Sequence, residues 1–325
     1  MSFYRGRRLR RNAAIRTMMR ESVLQPQDLI YPIFVEEGRS GKQPIAAMPG
    51  IAQYGLDALH EVVEEMRACG VRACILFGIP KHKDHEGSSA ADPHGIVQEA
   101  IRTLKQLDPQ LYVIADVCMC EYTDHGHCGI LGAQGEVVND VTLQHLCHIA
   151  LSYAQAGVDM VAPSDMMDGH IQALRSALDE AGHVSLPIMG YSAKYASSYY
   201  GPFREAAHSA PAFGDRRAYQ MDMGNRREAM REIAADIAEG ADIVMVKPAM
   251  PYLDVIHEAA QRFDHPICAY HVSGEYSMLR MAVDQGIMGE EVILESLLAI
   301  KRAGAKLIIT YFALDIARKL KEDAR

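Results

Sequence analysis

An α/β fold, specifically a (β/α)₈ TIM barrel with an extended N-terminal arm, is what this 325-residue chain predicts. Eight short apolar runs recur along it, and amphipathic stretches separate them. A typical barrel needs ~250 residues, and the excess falls in an arm and two long loops. The runs are Leu29–Val35, Ala73–Gly78, Leu111–Cys118, Met160–Ser164, Leu186–Tyr191, Ile243–Lys247, Pro266–Val272 and Leu307–Tyr311. They are near-continuously apolar rather than alternating, as expected of parallel strands buried on both faces. Leu56–Ala68, Val141–Gln155 and Glu228–Ala238 carry apolar residues at helical spacing and run into Gly70, Gly157 and Gly240, fitting C-caps. Strands alternating with helices in this way favour a parallel barrel. The rival is an open doubly wound sheet, but no G-x-G-x-x-G or G-x-x-x-x-G-K-[ST] pattern follows any run.

Residues 1–28 read as a basic arm for subunit contacts, and residues 29–325 as the catalytic barrel. Arg5, Arg7, Arg8, Arg10, Arg11, Arg16 and Arg20 put +7 on the first twenty residues, which hold no acid; the chain's net −9 therefore leaves −16 on the rest. A basic arm on an acidic body suits a neighbouring subunit better than nucleic acid. The body would repel phosphate, and the arm has no zinc-finger or helix-turn-helix pattern. The arginine-rich start shares its composition with transit peptides, but it runs straight into patterned sequence. No apolar run reaches the ~18 residues of a membrane span, so no membrane partner is expected. No signal peptide is apparent. Seven cysteines then read as thiols of a reducing, cytoplasmic compartment, not as a disulfide framework. Two connections rich in Gly, His, Ser and Tyr, 119–140 and about 195–224, are long enough to be binding loops or lids.

Active groups of a barrel sit at the C-terminal ends of its strands. That rule selects Asp116, Cys118, Asp165, Lys194, Lys247, Ser273 and Tyr311. Lys247 closes an apolar run, where an unpaired ammonium is costly to bury. Lys194 falls at the matching position of the adjacent strand. A lysine with the ordinary pKa of ~10.4 is neutral only about 4 times in 10,000 at pH 7. A second cation ~5 Å away costs about 3 kcal/mol at an effective dielectric of ~20, which lowers the pKa by roughly 2 units. Each lysine is therefore expected to help keep the other neutral, and a neutral amine attacks ketones to form imines. The plain alternative is a lysine that snorkels outward or pairs with an acid.

Cys118, Cys120 and Cys128 place three soft ligands within eleven residues, with His125 and His127 in the same loop. Zinc favours thiolate and imidazole, and a catalytic zinc commonly keeps three protein ligands and an open fourth position. A location at the barrel mouth favours that open site over a closed one completed by a histidine. The 195–224 segment adds Tyr199, Tyr200, Phe203, Arg204, Arg216 and Tyr219. Arginines there would clamp an acidic substrate under a lid that excludes water.

These residues lie in longer motifs that resemble those of the porphobilinogen synthase (5-aminolevulinate dehydratase) family, in its zinc-using bacterial form. DVCMCEYTDHGHCG, Asp116 to Gly129, resembles the metal loop. YSAKYASSYYGPFR, Tyr191 to Arg204, is similar to the first lysine segment, and MVKPAMPYLD, Met245 to Asp254, to the second. APSDMMDG, YHVSGEYSM, the early RRLRRN and the late ITYFALD also match, so the resemblance spans about residues 5–320.

The resemblance implies condensation of two 5-aminolevulinate molecules to porphobilinogen with loss of two waters, a step toward tetrapyrroles such as heme. Lys247 would form the Schiff base with the first substrate, whose acid side chain ends near Ser273 and Tyr311. Lys194 would bind the second, with Arg204, Arg216 and Gln220 on its carboxylate. Zinc on Cys118, Cys120 and Cys128 would activate or orient that second substrate. Asp116, joined by Asp165, would serve proton transfers. Some relatives carry aspartates in the metal loop; this chain keeps all three cysteines. Ala218 stands where certain relatives have a further cysteine, which argues against a second zinc. Glu232, with Asp236 on the same helix face, falls where many bacterial members bind an allosteric magnesium; a plain surface pair gives the same pattern. The resemblance also implies a homo-octamer whose arm wraps a neighbour. A class I aldolase would use one lysine and leave the cysteines unexplained. A zinc hydrolase, a metal sensor or a nucleic-acid-binding protein would leave the lysine pair unused.

Overall fold

Eight parallel strands form the centre of the molecule, seen in a computed structural model that describes residues 3–323. They are β1 Leu29–Glu36, β2 Ala73–Ile79, β3 Tyr112–Val117, β4 Met160–Pro163, β5 Met189–Lys194, β6 Ile243–Lys247, β7 Ile267–His271 and β8 Leu307–Thr310. Each pairs with its neighbours in chain order, and β8 pairs with β1. Between β4 and β5 the ring is closed by a bridge from Val161 to Ile188, where the Val161 N–H donates to the Pro187 carbonyl at 3.2 Å. The predicted (β/α)₈ barrel is therefore the observed fold, and closure leaves its strands no free edge. Residues 1, 2, 324 and 325, at the outer ends of the arm and the barrel segment, lie outside the described residues.

The long helices lie where apolar spacing places them, at Leu59–Cys69, Asn139–Ala156 and Arg226–Glu239. Gly70, Gly157 and Gly240 cap them at φ 87°, 92° and 106°, a region glycine enters without a Cβ penalty. Three details depart from expectation. β5 is shifted three residues onward, so Lys194 ends the strand rather than following it. Ser192 and Lys194 read as loop residues, yet both belong to the strand and are buried, Ser192 on the side of the outer helices and Lys194 at the mouth. A small antiparallel ribbon, Lys42–Pro44 with Ala52–Tyr54, follows β1 and was not expected; its first strand is fully exposed and carries no apolar signal.

In the arm, a turn at Gly6–Arg10 and a helix at Ala13–Met18 bury no residue. The 195–224 segment packs on the helix Ser273–Asp284 that follows β7. Gly274 permits this approach, because a Cβ there would lie 2.5 Å from the Tyr199 carbonyl oxygen and 2.9 Å from its Cα. Gly274→Ala is accordingly expected to lift residues 197–206 from the barrel and to lower stability by about 1–3 kcal/mol. Faster amide exchange across that stretch, with a lower Tm, is the expected result. Unchanged exchange would show that the contact is not tight.

Candidate active site

β5 and β6 run in register with Lys194 opposite Lys247, so both amines reach the C-terminal mouth of the barrel. Aromatic rings box the Lys247 amine. Its Nζ lies 4.3 Å from the centre of Tyr270, 4.9 Å from Tyr191, and 5.3 Å from each of Tyr200 and Phe203. Burial, and then the charge of Lys194, push Lys247 down to about 7. Lys194 moves the other way. Burial works against its charge, but negative charge on the sulfurs of Cys128, Cys118 and Cys120 outweighs it and holds Lys194 above its ordinary value. The expectation that each lysine keeps the other neutral holds for Lys247 and is corrected for Lys194. Lys194 is the resident cation, and Lys247 is the amine that yields its proton. The Lys194 Nζ also donates to the Ser164 carbonyl.

Asp116 faces this pair. Its Oδ2 accepts from the Ser164 hydroxyl at 3.0 Å, and its Oδ1 has no partner. Burial, reinforced by Glu121, raises Asp116 to about 7, the same range as Lys247. Asp165 does not join them. Its carboxylate turns back to the Met167 N–H, at 2.7 Å, and to the His170 ring.

The space enclosed here is only about 20 Å³, room for about one water. Asp116, Cys120, Lys194, Arg204, Arg216 and Lys247 share its wall, and Tyr200 and Phe203 cover it. Several buried polar atoms have no partner: Nε of Arg204 and of Arg216, the Tyr191 hydroxyl, and both amide atoms of Gln220. Buried polar groups are normally paired, so the orphaned guanidinium atoms of Arg204 and Arg216 at this mouth suit a polar, anionic ligand, while those of Gln220 lie outside it. Arg216 is fixed by donating to the carbonyls of Gly126 and Ser209 at 2.8 and 2.6 Å.

Three residues stand back from the 20 Å³ space. Gln220 lines a separate cavity of about 440 Å³ together with Glu232. The Ser273 hydroxyl accepts the Phe203 N–H at 2.9 Å, and the Tyr311 hydroxyl meets that of Tyr270 at 3.1 Å. Glu232 and Asp236 both line an outer cavity of about 270 Å³. Glu232 belongs to no tight donor cluster among the described residues.

The cysteines do form such a cluster. The sulfurs of Cys118, Cys120 and Cys128 all lie within 4.8 Å of one another, and those of Cys118 and Cys120 are 3.4 Å apart. Tetrahedral zinc with bonds of ~2.3 Å holds its sulfurs about 3.8 Å apart, so the trio fits a thiophilic metal. Hydrogen bonds from the other two thiols hold Cys128 well below the ordinary thiol range, while Cys118 and Cys120 are pushed up. His127 is not a fourth donor. Its Nδ1 meets the Tyr219 hydroxyl and its Nε2 the Phe213 carbonyl, each at 3.1 Å, so the ring ties the metal loop to the 195–224 segment. A second, more exposed group, His85, Asp124 and His125, is less available. There, His125 Nδ1 already accepts the His127 N–H at 3.1 Å, and Nε2 meets the His85 carbonyl at 3.2 Å.

Sequence reasoning missed Ser164, Glu121, Tyr191 and Tyr270. Ser164 and Tyr270 lie at or just beyond strand ends, and closer use of the barrel rule would have found them. Tyr191 and Glu121 carry no such signal.

The sequence profile of the family described as delta-aminolevulinic acid dehydratase matches residues 3–319. A delta-aminolevulinic acid dehydratase of Archaeoglobus fulgidus is 55% identical over 317 residues, covering 98% of each chain. One of Halalkalibacterium halodurans is 53% identical over 324 residues, covering 99% of this chain and 98% of its own. The crystal structure of the Toxoplasma gondii ME49 delta-aminolevulinic acid dehydratase (porphobilinogen synthase), in complex with the reaction product porphobilinogen, superposes with a TM-score of 0.97. It is 42% identical and covers 99% of this chain and 93% of its own.

Lys194→Met removes the cation beside Lys247 and is expected to raise the pH midpoint at which Lys247 reacts with an aldehyde and cyanoborohydride. An unmoved midpoint would mean that burial alone sets the lysine's basicity.

Proposed function

The chain belongs to the delta-aminolevulinic acid dehydratase family, and from that premise we propose that Lys194 and Lys247 are the two amines with which it joins two 5-aminolevulinate molecules into porphobilinogen. The observation that carries this reading is the register pairing of the two lysines at a closed polar mouth, with Lys247 lowered to about 7. Near neutral pH much of Lys247 is then a free amine. Its nitrogen bonds to the ketone carbon of the first substrate; its two protons and the ketone oxygen leave as one water. Asp116, titrating in the same range, takes and returns protons during these steps. Lys194 receives the second substrate, after passing its proton to a neighbouring base.

Arg204 and Arg216, each with an unpaired Nε, bind the second substrate's carboxylate. A space of about 20 Å³ holds neither substrate, so the 195–224 segment acts as a lid that opens and closes. Opening moves Phe203 away from Ser273, which frees Ser273 to bind the first substrate's carboxylate together with Tyr311, and Gln220 moves with the same segment toward the second. Cys118, Cys120 and Cys128 hold a metal, for which we propose zinc; bound there, it supplies positive charge that binds and polarises the second substrate. Glu232 is the residue that would hold a regulatory magnesium, outside the mouth.

Residues 3–23 of the arm bury no side chain within their own chain, and Phe3, Tyr4 and Met18 are exposed. That supports a homo-oligomer, an octamer on the family pattern, in which the basic arm lies on an acidic neighbour. No helix among the described residues is long and apolar enough to cross a membrane. Seven free cysteines support a cytoplasmic location.

Chelation is expected to remove porphobilinogen formation, and zinc, not magnesium alone, to restore it. Cys120→Ala is expected to lose tight zinc binding and most activity. Full activity after chelation would remove the metal from the reaction. Arg204→Met is expected to lower kcat/KM by about 10- to 150-fold, the ~1.5–3 kcal/mol of a charged hydrogen bond. An unchanged kcat/KM would exclude Arg204 from substrate binding.

A further inference from the structure

The turn after β4 does two things for the mouth. Ser164 offers its carbonyl to the Lys194 Nζ and its hydroxyl to Asp116. Two residues on, Met166 sits at φ 70°, in the left-handed region that side chains with a Cβ avoid. Such a conformation persists only where its surroundings over-determine it.

Asp165 supplies that constraint. It is fully buried, its Oδ1 accepts the Met167 N–H at 2.7 Å, and its two oxygens meet His170 Nδ1 at 3.1 and 3.0 Å. His170 opens the next helix, His170–Glu180, and is buried too. Its Nε2 faces Asp236 Oδ1 at 3.6 Å, on the helix Arg226–Glu239. Burial opposes a charge on this ring, but Asp165, and then Asp236, outweigh it and hold His170 well above the ordinary imidazole range. His170 is thus the counter-charge of two buried carboxylates. Without it, Asp165 would keep an uncompensated charge and the Met166 turn would lose its lock.

We propose that His170 is a positioning residue for Lys194, acting through Asp165 and the Ser164 turn. The proposal rests on reading Lys194 as the amine for the second substrate. His170 touches neither lysine nor any residue of the enclosed mouth. Its effect is to keep the Ser164 carbonyl aimed at the Lys194 Nζ.

Two readouts on the intact enzyme separate this proposal from the site reading beneath it. One is reductive methylation of each lysine, mapped by mass spectrometry; the other is kcat and KM. His170→Phe removes both ring nitrogens. It is expected to raise Lys194 methylation several-fold relative to Lys247, and to lower kcat on the order of 10²-fold, as for a slightly misplaced reacting group. His170→Gln, which keeps one N–H for Asp165, is expected to recover most of the loss. An unchanged ratio of Lys194 to Lys247 labelling in folded His170→Phe would overturn the proposal. A changed ratio with normal kcat would support positioning by His170 and remove Lys194 from the reaction instead. If His170→Phe does not fold, Asp165→Asn, of equal size but uncharged, is read in the same way; an unchanged labelling ratio there would also overturn it.

Discussion

Setting Lys247 opposite Lys194, in register on adjacent buried strands, places two cations where water cannot screen them. One of the two must give way. The thiols of the metal loop lie beside Lys194, and the Ser164 carbonyl accepts from it, so that ammonium is held. Lys247 has rings around it instead, and it yields. A ring face attracts a cation only modestly, by ~0.5–2 kcal/mol, which does not replace a hydration shell. The asymmetry sets two chemically identical side chains apart: Lys247 is the free amine of the resting site, and Lys194 must first give up its proton.

The metal loop therefore carries two duties. Cys118, Cys120 and Cys128 form a donor set of the right spacing for a thiophilic ion, and negative charge on the same sulfurs favours the ammonium form of Lys194 beside them. His127 and Tyr219 extend the connection from that loop to the 195–224 segment. Closure over the mouth, the thiol cluster and the lysine pair are consequently one packed unit. Removing water from it strengthens every charge interaction within.

Much of this was legible in the sequence, because strands buried on both faces read as apolar runs wherever they occur. The rule that barrel chemistry gathers at strand ends then brought Asp116, Lys194 and Lys247 together. The failures have physical causes. β5 was set three residues early because its last residues are polar, and the polar end of a barrel strand looks like a loop. Tyr191, Tyr200, Phe203 and Tyr270 enclose one amine but are spread over eighty residues of sequence, and each alone reads as core or loop. The opposite shifts of the two lysines depend on how close a loop from β3 comes to β5, which no local pattern records. Asp165 obeyed the strand-end rule but faces away, because its carboxylate is needed by the Met166 turn and His170.

The central claim is that Lys247 alone loses its proton near neutrality. Its most direct test is an NMR titration of the enzyme carrying isotope-labelled lysine, with the signals of Lys194 and Lys247 assigned by substitution. The account predicts a midpoint for Lys247 near 7, and Lys194 still charged well above that pH. A Lys247 midpoint near the ordinary ~10.4 of lysine, or two lysines titrating alike, would contradict it.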